Sequence, residues 1–350
     1  PPPPPPPPPF PATIAPASAF ETSEYNFTVG LPLTGASTAY AIGATGEGIK
    51  VAVIDTGSIT DHPDFLGASI TTYDVCASTA CPGYDASGDP LTQVRQPGDI
   101  DTGGHGTLVT GVIAAVRQDD FRTTTDNIDP NGIQGIAYES SVLSIRADSP
   151  GSCARSGVDD ECAFADSNLV RAIDHAIAQG VSIINMSLSG EVDADQSLES
   201  ASLGRVVAVG SFYVDPRDPN QERIISDFSN RAGDSAKNYY LMAPGDGIVT
   251  TGLDDDIMFP GDPTNDADSE GDYYSVSGTS FSAPYVAGAL ALLLDAFPNL
   301  KQNPELALQI LLDTADDYVD ANPDAITGQA AGVGIDAVSG VGIMNLAEAF

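Results

Sequence analysis

The chain has 350 residues, enough for one large domain or two ordinary ones, and a chain of that length buries roughly 75% of the surface its unfolded form exposes. Thirteen Lys and Arg stand against 49 Asp and Glu, a formal charge of −36, which repels nucleic acid and anionic membrane surfaces and argues against both as partners. No apolar run reaches the roughly 20 residues that a membrane span requires, since Leu290–Leu294 runs into Asp295.

Pro1 to Pro9 form an unbroken proline run, followed by Pro11 and Pro16. A polyproline helix has no internal hydrogen bonds on which to build a core. Residues 1–24 therefore read as a stiff linker and residues 25–350 as the folded domain. The chain opens without Met or a signal peptide, as expected of an excised or processed segment.

From there strand-like and helix-like segments alternate. That pattern predicts an α/β fold, a mostly parallel central sheet with helices on both faces. "GIKVAVIDTG" (48–57) is a short β-branched run closed by Asp and Gly, as a buried central strand should be. "HGTLVTGVIAAV" (105–116) spaces Leu108, Val112 and Val109, Val116 at helical intervals, and "SVLSIRAD" (141–148) reads as a strand. "DSNLVRAIDHAIAQG" (166–180) offers Asp166 or Ser167 as N-cap, Leu169, Ile173 and Ile177 along one face, and Gly180 as the stop. "VSIINMS" (181–187) and "RVVAVG" (205–210) are further strands. "NPELALQILLDTAD" (303–316) starts with Asn303 as cap and Pro304 at the first helical position.

The four cysteines fall into two near pairs, Cys76 with Cys81 and Cys153 with Cys162, both in loop-like stretches. Four cysteines allow three pairings, and proximity favours local pairing into two short-loop disulfides, in an oxidising compartment, over free thiols. A zinc site is disfavoured, because neither pair has Cys-x-x-Cys spacing or a nearby His. In the acidic stretch 254–272, Asp266, Asp268, Glu270 and Gly271 imitate the opening of a calcium loop, but Ser277 stands at the twelfth position where a bidentate Glu is wanted. Calcium is at most structural there, and the chemistry developed below needs no cofactor and no metal.

That chemistry begins with three residues at the ends of predicted elements. Ser280, in "VSGTSFSAPYVAGALALLL" (276–294), stands where the chain turns into a helix, with Pro284 expected in its first turn. A helix N-terminus puts backbone N–H groups and positive potential where an oxyanion would develop. His105 opens its helix among Gly103, Gly104 and Gly106, which leave a substrate little to collide with. Asp55 ends the "VAVID" strand, at the carboxyl edge where open α/β sheets place their chemistry. A serine hydroxyl is a poor nucleophile until a base takes its proton, and the base works best when a carboxylate fixes its tautomer.

The order Asp, His, Ser with these flanks resembles the subtilisin-like serine proteases, the S8 subtilase family. "VIDTG", "GHGTLVTGVIAA" and "SGTSFSAPYVAGALALLL" carry the resemblance, which runs from about Tyr40 to Phe350. "DFSNRAG" (227–233), "YYLMAPGDGIVTTG" (239–252) and "GVGIMNLAEAF" (340–350) look like the branch found as passenger domains of bacterial autotransporters, a secreted or cell-surface setting. The resemblance implies a monomeric endopeptidase acting on protein or peptide substrates, with Ser280 as nucleophile, His105 as base and Asp55 orienting it. It also implies that Ser187, Leu188 and Ser189 of "NMSLSG" line one side of the pocket for the residue before the scissile bond.

One part of the pattern is missing. Relatives carry, after the "NMSLSG"-like segment, a helix and a strand whose terminal Asn supplies a second oxyanion donor. Between Met186 and Gly210 this chain has only 23 residues (187–209), too few for that excursion plus the next strand. Ser211 stands where the Asn would fall in the other alignment. A gap in the sheet follows, and with it a second functional reading: a subtilase-shaped domain with weak or no turnover that binds rather than cuts.

Overall fold

The computed structural model describes residues 11–85, 87–95, 101, 104–118, 132–153, 162–188, 206–215, 217–218, 220–253 and 273–350. Its strands are β1 (Lys50–Asp55), β2 (Ser69–Asp74), β3 (Cys81–Tyr84), β4 (Pro90–Gln93), β5 (Ser141–Arg146), β6 (Ile183–Asn185), β7 (Ala208–Val214), β8 (Arg223–Ile225), β9 (Tyr240–Pro244), β10 (Ile248–Thr251) and β11 (Tyr273–Val276). Its longer helices are α1 (His105–Ala114), α2 (Asp166–Ala178), α3 (Thr279–Ala296) and α4 (Pro304–Asp313).

The main sheet is parallel, with strand order β2, β5, β1, β6. Successive residues of a strand face opposite sides, and β1 divides accordingly. Val51 and Val53 join Leu108, Val112 and the apolar side chains of α3 in the larger core, whereas Ala52 and Ile54 meet Ala172 and Ala176 of α2 on the other side. Helices therefore cover both faces of an α/β sheet, as the alternating sequence predicts. A strand buried on both sides must be apolar throughout, which is why "VAVI" has no polar residue before Asp55.

A second sheet holds β8, β7 and β9, with β7 and β9 parallel. Helix α3 packs on β1 and β6 of the first sheet and on β7 and β9 of the second. It is the one described helix long and apolar enough to cross a membrane, and it is spent as the hub of the core, with Tyr285, Ala289, Leu292 and Leu293 fully buried. Strands β6 and β7 lie in different sheets, and the gap expected from the short 187–209 interval falls largely on residues 189–205, outside the described residues.

Part of the α2 side of this sheet is exposed. Ile184 pairs with Ala52 and so shares the α2 side of the sheet, and Met186 follows it in phase; both are more than a third exposed, at 36% and 38%. On α2 itself the expected apolar face is only partly covered: Leu169 and Ile173 pack against the core, while Ile177 is 65% exposed. The stripe truly buried is Asn168, Ala172 and Ala176.

Three further expectations are corrected. Asp166 and Ser167 do not cap α2; Ala165 is its N-cap and Asp166 lies in the first turn, where its charge still suits the helix dipole. The 1–24 linker is too long: Ile14 N–H bonds to the Ala41 carbonyl, Phe20 packs against the core beside Tyr40, and Glu24 is buried. Composition hid this, because two or three anchoring side chains suffice to order a segment that is otherwise Pro-, Ala- and Ser-rich. Helix α1 ends at Ala114, so Val116 lies beyond it. Cys76–Cys81 and Cys153–Cys162 are both disulfide-bonded. The calcium-loop candidates Asp266, Asp268, Glu270 and Gly271 lie outside the described residues.

Candidate active site

Asp55 is the last residue of β1 and its side chain is fully buried. The Thr56 N–H donates to its Oδ1 at 2.8 Å. His105 is the first residue of α1, brought opposite by Gly104, which adopts the left-handed φ of 69° that a side chain disfavours. Gly106 is needed for a different reason: a Cβ there would collide with the Gly57 carbonyl oxygen, so only glycine lets the start of α1 lie against the turn after β1.

His105 Nδ1 lies 2.8 Å from Asp55 Oδ1. An ionised Asp55 accepts from Nδ1–H, which leaves Nε2 as the basic nitrogen. The ring is 26% exposed, enough for a substrate to reach it. Burial pulls the His105 pKa down, but the charge and hydrogen bond of Asp55, with the charge of Asp101, outweigh it and leave the imidazole above its ordinary value.

Asp101 is the residue that sequence reading passed over. Its buried carboxylate accepts from Thr56 Oγ1 at 2.7 Å, Gly104 N at 2.9 Å, Thr107 N at 3.0 Å and Thr107 Oγ1 at 2.6 Å. Thr56 Oγ1 in turn accepts from Gly106 N at 2.9 Å. One carboxylate thus accepts from two N–H groups at the start of α1, Gly104 and Thr107, and ties that start to the residue after Asp55. The available signal was an acid just ahead of a helix. Burial raises the Asp101 pKa, and the bonds from Thr107 and Thr56 pull against it.

Ser280 is the second residue of α3. Phe281, next to it, sets its ring centroid 5.8 Å from that of His105. Among the described residues Ser280 Oγ has one hydrogen bond, to the Ser187 carbonyl at 3.5 Å, and none to His105. Of the residues expected to line the pocket, Ser187 is buried against Ser280, Leu188 is half-buried, and Ser189 lies outside the described residues. Ser211 is fully buried, its hydroxyl 2.7 Å from that of Ser226, and is therefore no donor to a substrate.

Pro284 sits at the sixth position of α3 and not in the first turn. Its nitrogen has no hydrogen for the carbonyl four residues earlier, which is that of Ser280. Ser187 Oγ donates to this carbonyl at 2.7 Å instead, and Asn185 Nδ2 donates to Ser187 Oγ at 2.9 Å.

A sequence profile described as the subtilase family matches residues 46–214 and 190–330. An intracellular serine protease of Paenibacillus polymyxa is 30% identical over 304 residues, 77% of this chain and 74% of that protein. The chain belongs to the subtilase family. An extracellular protease of Xanthomonas campestris pv. campestris is 30% identical over 322 residues, covering 83% of this subtilase and 50% of that protein. The solved structure of the prenylagaramide maturation protease PagA has the same fold, with a TM-score of 0.57 at 23% identity, over 90% of this chain and 96% of that one. The two profile matches to this subtilase overlap at 190–214, a stretch that ends in β7.

Proposed function

We propose that this serine protease of the subtilase family is a secreted endopeptidase that hydrolyses peptide bonds through Asp55, His105 and Ser280. The hydrogen bond from His105 to the buried Asp55 carries the reading, because a fixed imidazole beside a helix-borne serine is what activates a hydroxyl at neutral pH. Ser280 Oγ, turned from the Ser187 carbonyl toward His105 Nε2, attacks the substrate carbonyl as Nε2 takes its proton. Asp55 stabilises the imidazolium. The negative oxygen of the tetrahedral adduct faces the backbone N–H of Ser280 and the start of α3. His105 then gives its proton to the leaving amine, and water, deprotonated by His105, releases the acyl group from Ser280. Ser187, Leu188 and Ser189 flank the side chain before the scissile bond.

We also propose a secreted or bacterial cell-surface setting for a monomeric domain, as in autotransporter passengers. Two disulfides and the extracellular relative support it.

A second reading is favoured by a specific observation: Ser211 is buried and bonded to Ser226, so the side-chain oxyanion donor of relatives has no substitute there. A missing donor of this kind costs about 10²- to 10³-fold in turnover, a magnitude measured on a subtilisin. In that reading the domain binds peptides without cutting them. A fluorophosphonate probe decides. Labelling at Ser280 that is lost in His105→Ala, together with casein cleavage, supports the protease, whereas unlabelled protein that leaves casein intact supports the binding module.

A further inference from the structure

A proline inside a helix leaves one carbonyl without its donor and crowds it outward. In α3 that carbonyl belongs to Ser280, whose hydroxyl is the proposed nucleophile, and it lies at a half-buried site where an unmet acceptor still carries a cost. The group that meets it comes from a segment 93 residues away in sequence. Ser187 lies just past β6 and is 5% exposed. Its hydroxyl has one proton to give and lone pairs to receive. It gives the proton to the Ser280 carbonyl at 2.7 Å and receives the Asn185 amide at 2.9 Å, so its rotamer is fixed from both sides. Asn185 is itself buried, on the strand paired with β1 through Val53. The return contact, Ser280 Oγ to the Ser187 carbonyl at 3.5 Å, closes the two segments on each other.

We propose that Ser187 is a positioning residue for Ser280: its side-chain hydroxyl takes the place of the backbone N–H that Pro284 lacks, and so locks the first turn of α3, and the nucleophile on it, to the end of β6. This rests on the protease reading above and assigns the Ser187 side chain a role other than lining the substrate pocket. The main sheet thereby reaches the nucleophile directly, through Asn185 and Ser187, as it reaches the base through Asp55.

The arrangement implies a specific coupling. Ser187→Ala strands the Ser280 carbonyl and loosens the nucleophile, so kcat falls about 10- to 100-fold while KM stays within about twofold. Pro284→Ala restores an N–H four residues after Ser280, so in that background Ser187→Ala costs several-fold less. The cycle is read in kcat, KM and melting temperature, because neighbouring residues that share one hydrogen bond are non-additive. Equal losses in both backgrounds overturn the proposal, as does a Ser187→Ala protein that melts early with kcat intact, or one whose KM alone rises. If wild type proves inert to substrate and to fluorophosphonate, the protease reading fails separately, and the melting-temperature cycle still decides whether Ser187 fills the place left by Pro284: additivity there rejects it.

Discussion

The Asp101 carboxylate stands 2.7 Å from the hydroxyl of Thr56, so the loop that precedes His105 is bonded to the residue that follows Asp55. The distance between base and orienting carboxylate is thereby held from outside the pair as well as by the pair's own hydrogen bond. Because Asp101 also contributes negative charge beside the imidazole, geometry and titration of the site are linked.

The first consequence concerns pH. Only neutral His105 can accept the serine proton, and its pKa is raised above the ordinary imidazole value of about 6.5, so the acid limb of kcat/KM falls above that pH. The sign for stability is opposite: a raised folded pKa contributes stability that is complete below the unfolded value and is lost as pH rises through the folded one. Asp101→Asn removes one of the charges that raise the pKa and moves the acid limb downward. With three histidines in the chain, an NMR titration assigned by His105→Ala reads the same shift without any substrate. An unmoved His105 titration in Asp101→Asn would contradict the electrostatic role.

Removing the carboxylate altogether is a different experiment. Asp101→Ala leaves Gly104 N, Thr107 N and two threonine hydroxyls without their acceptor in a buried place. Each stranded donor costs about 1–3 kcal/mol, so a loss of at least about 3 kcal/mol in urea-unfolding free energy is expected.

Asp55→Asn keeps the shape of the site and inverts its hydrogen bonding. An amide that donates to Nδ1 holds the proton on Nε2, the nitrogen that must be free. A decrease of about 10⁴-fold in kcat is expected with the melting temperature nearly unchanged, by analogy with the same substitution in another triad protease. Steady-state kinetics on a peptide substrate measure it.

The turn after β1 makes a steric prediction. Gly106→Ala drives a methyl into the Gly57 carbonyl, and backbone on both sides leaves little room to give. Overpacking of this kind costs about 1–3 kcal/mol, and the accompanying displacement of His105 lowers kcat by about 100-fold. A crystal structure of the variant would show α1 moved away from β1.

The bare surface around Ile177, Ile184 and Met186 gives a contrast between two neighbouring helix positions. Ile177→Lys touches an exposed site and changes stability by no more than about 0.5 kcal/mol, while lowering self-association and dye binding. Ala176→Lys, one residue earlier and fully buried, forces an ammonium into the core of α2 and destabilises the protein severely. Sedimentation and calorimetry on the pair separate the two sites.

Much of this organisation was legible in the chain itself. Apolar "VAVI" before Asp55 required a strand covered on both sides, and the spacing of the motifs put Asp, His and Ser at element ends. What escaped the reading was relational. The periodicity of α2 marked Ile177 as apolar but could not say whether anything would cover it, since that depends on segments distant in the chain. Pro284 read as a tolerated first-turn proline, yet it lies deeper in α3 and the donor that compensates it is a serine 93 residues away. Asp101 looked like a loop acid because its four bonds form only once the start of α1 is laid against β1.

The amino-acid order alone determined the alternating α/β plan and the identity of the three groups proposed for chemistry, because these follow from patterns within a few residues of one another, while it only favoured the two local disulfide pairs. The tertiary structure decided that Asp101 bonds the start of α1 to the residue after Asp55, that Ser187 donates to the Ser280 carbonyl, and that Ile177 of α2 stays exposed. Those outcomes depend on distances between segments far apart in the chain, and a hydrogen bond or a contact exists only when folding has brought both partners within about 3 Å.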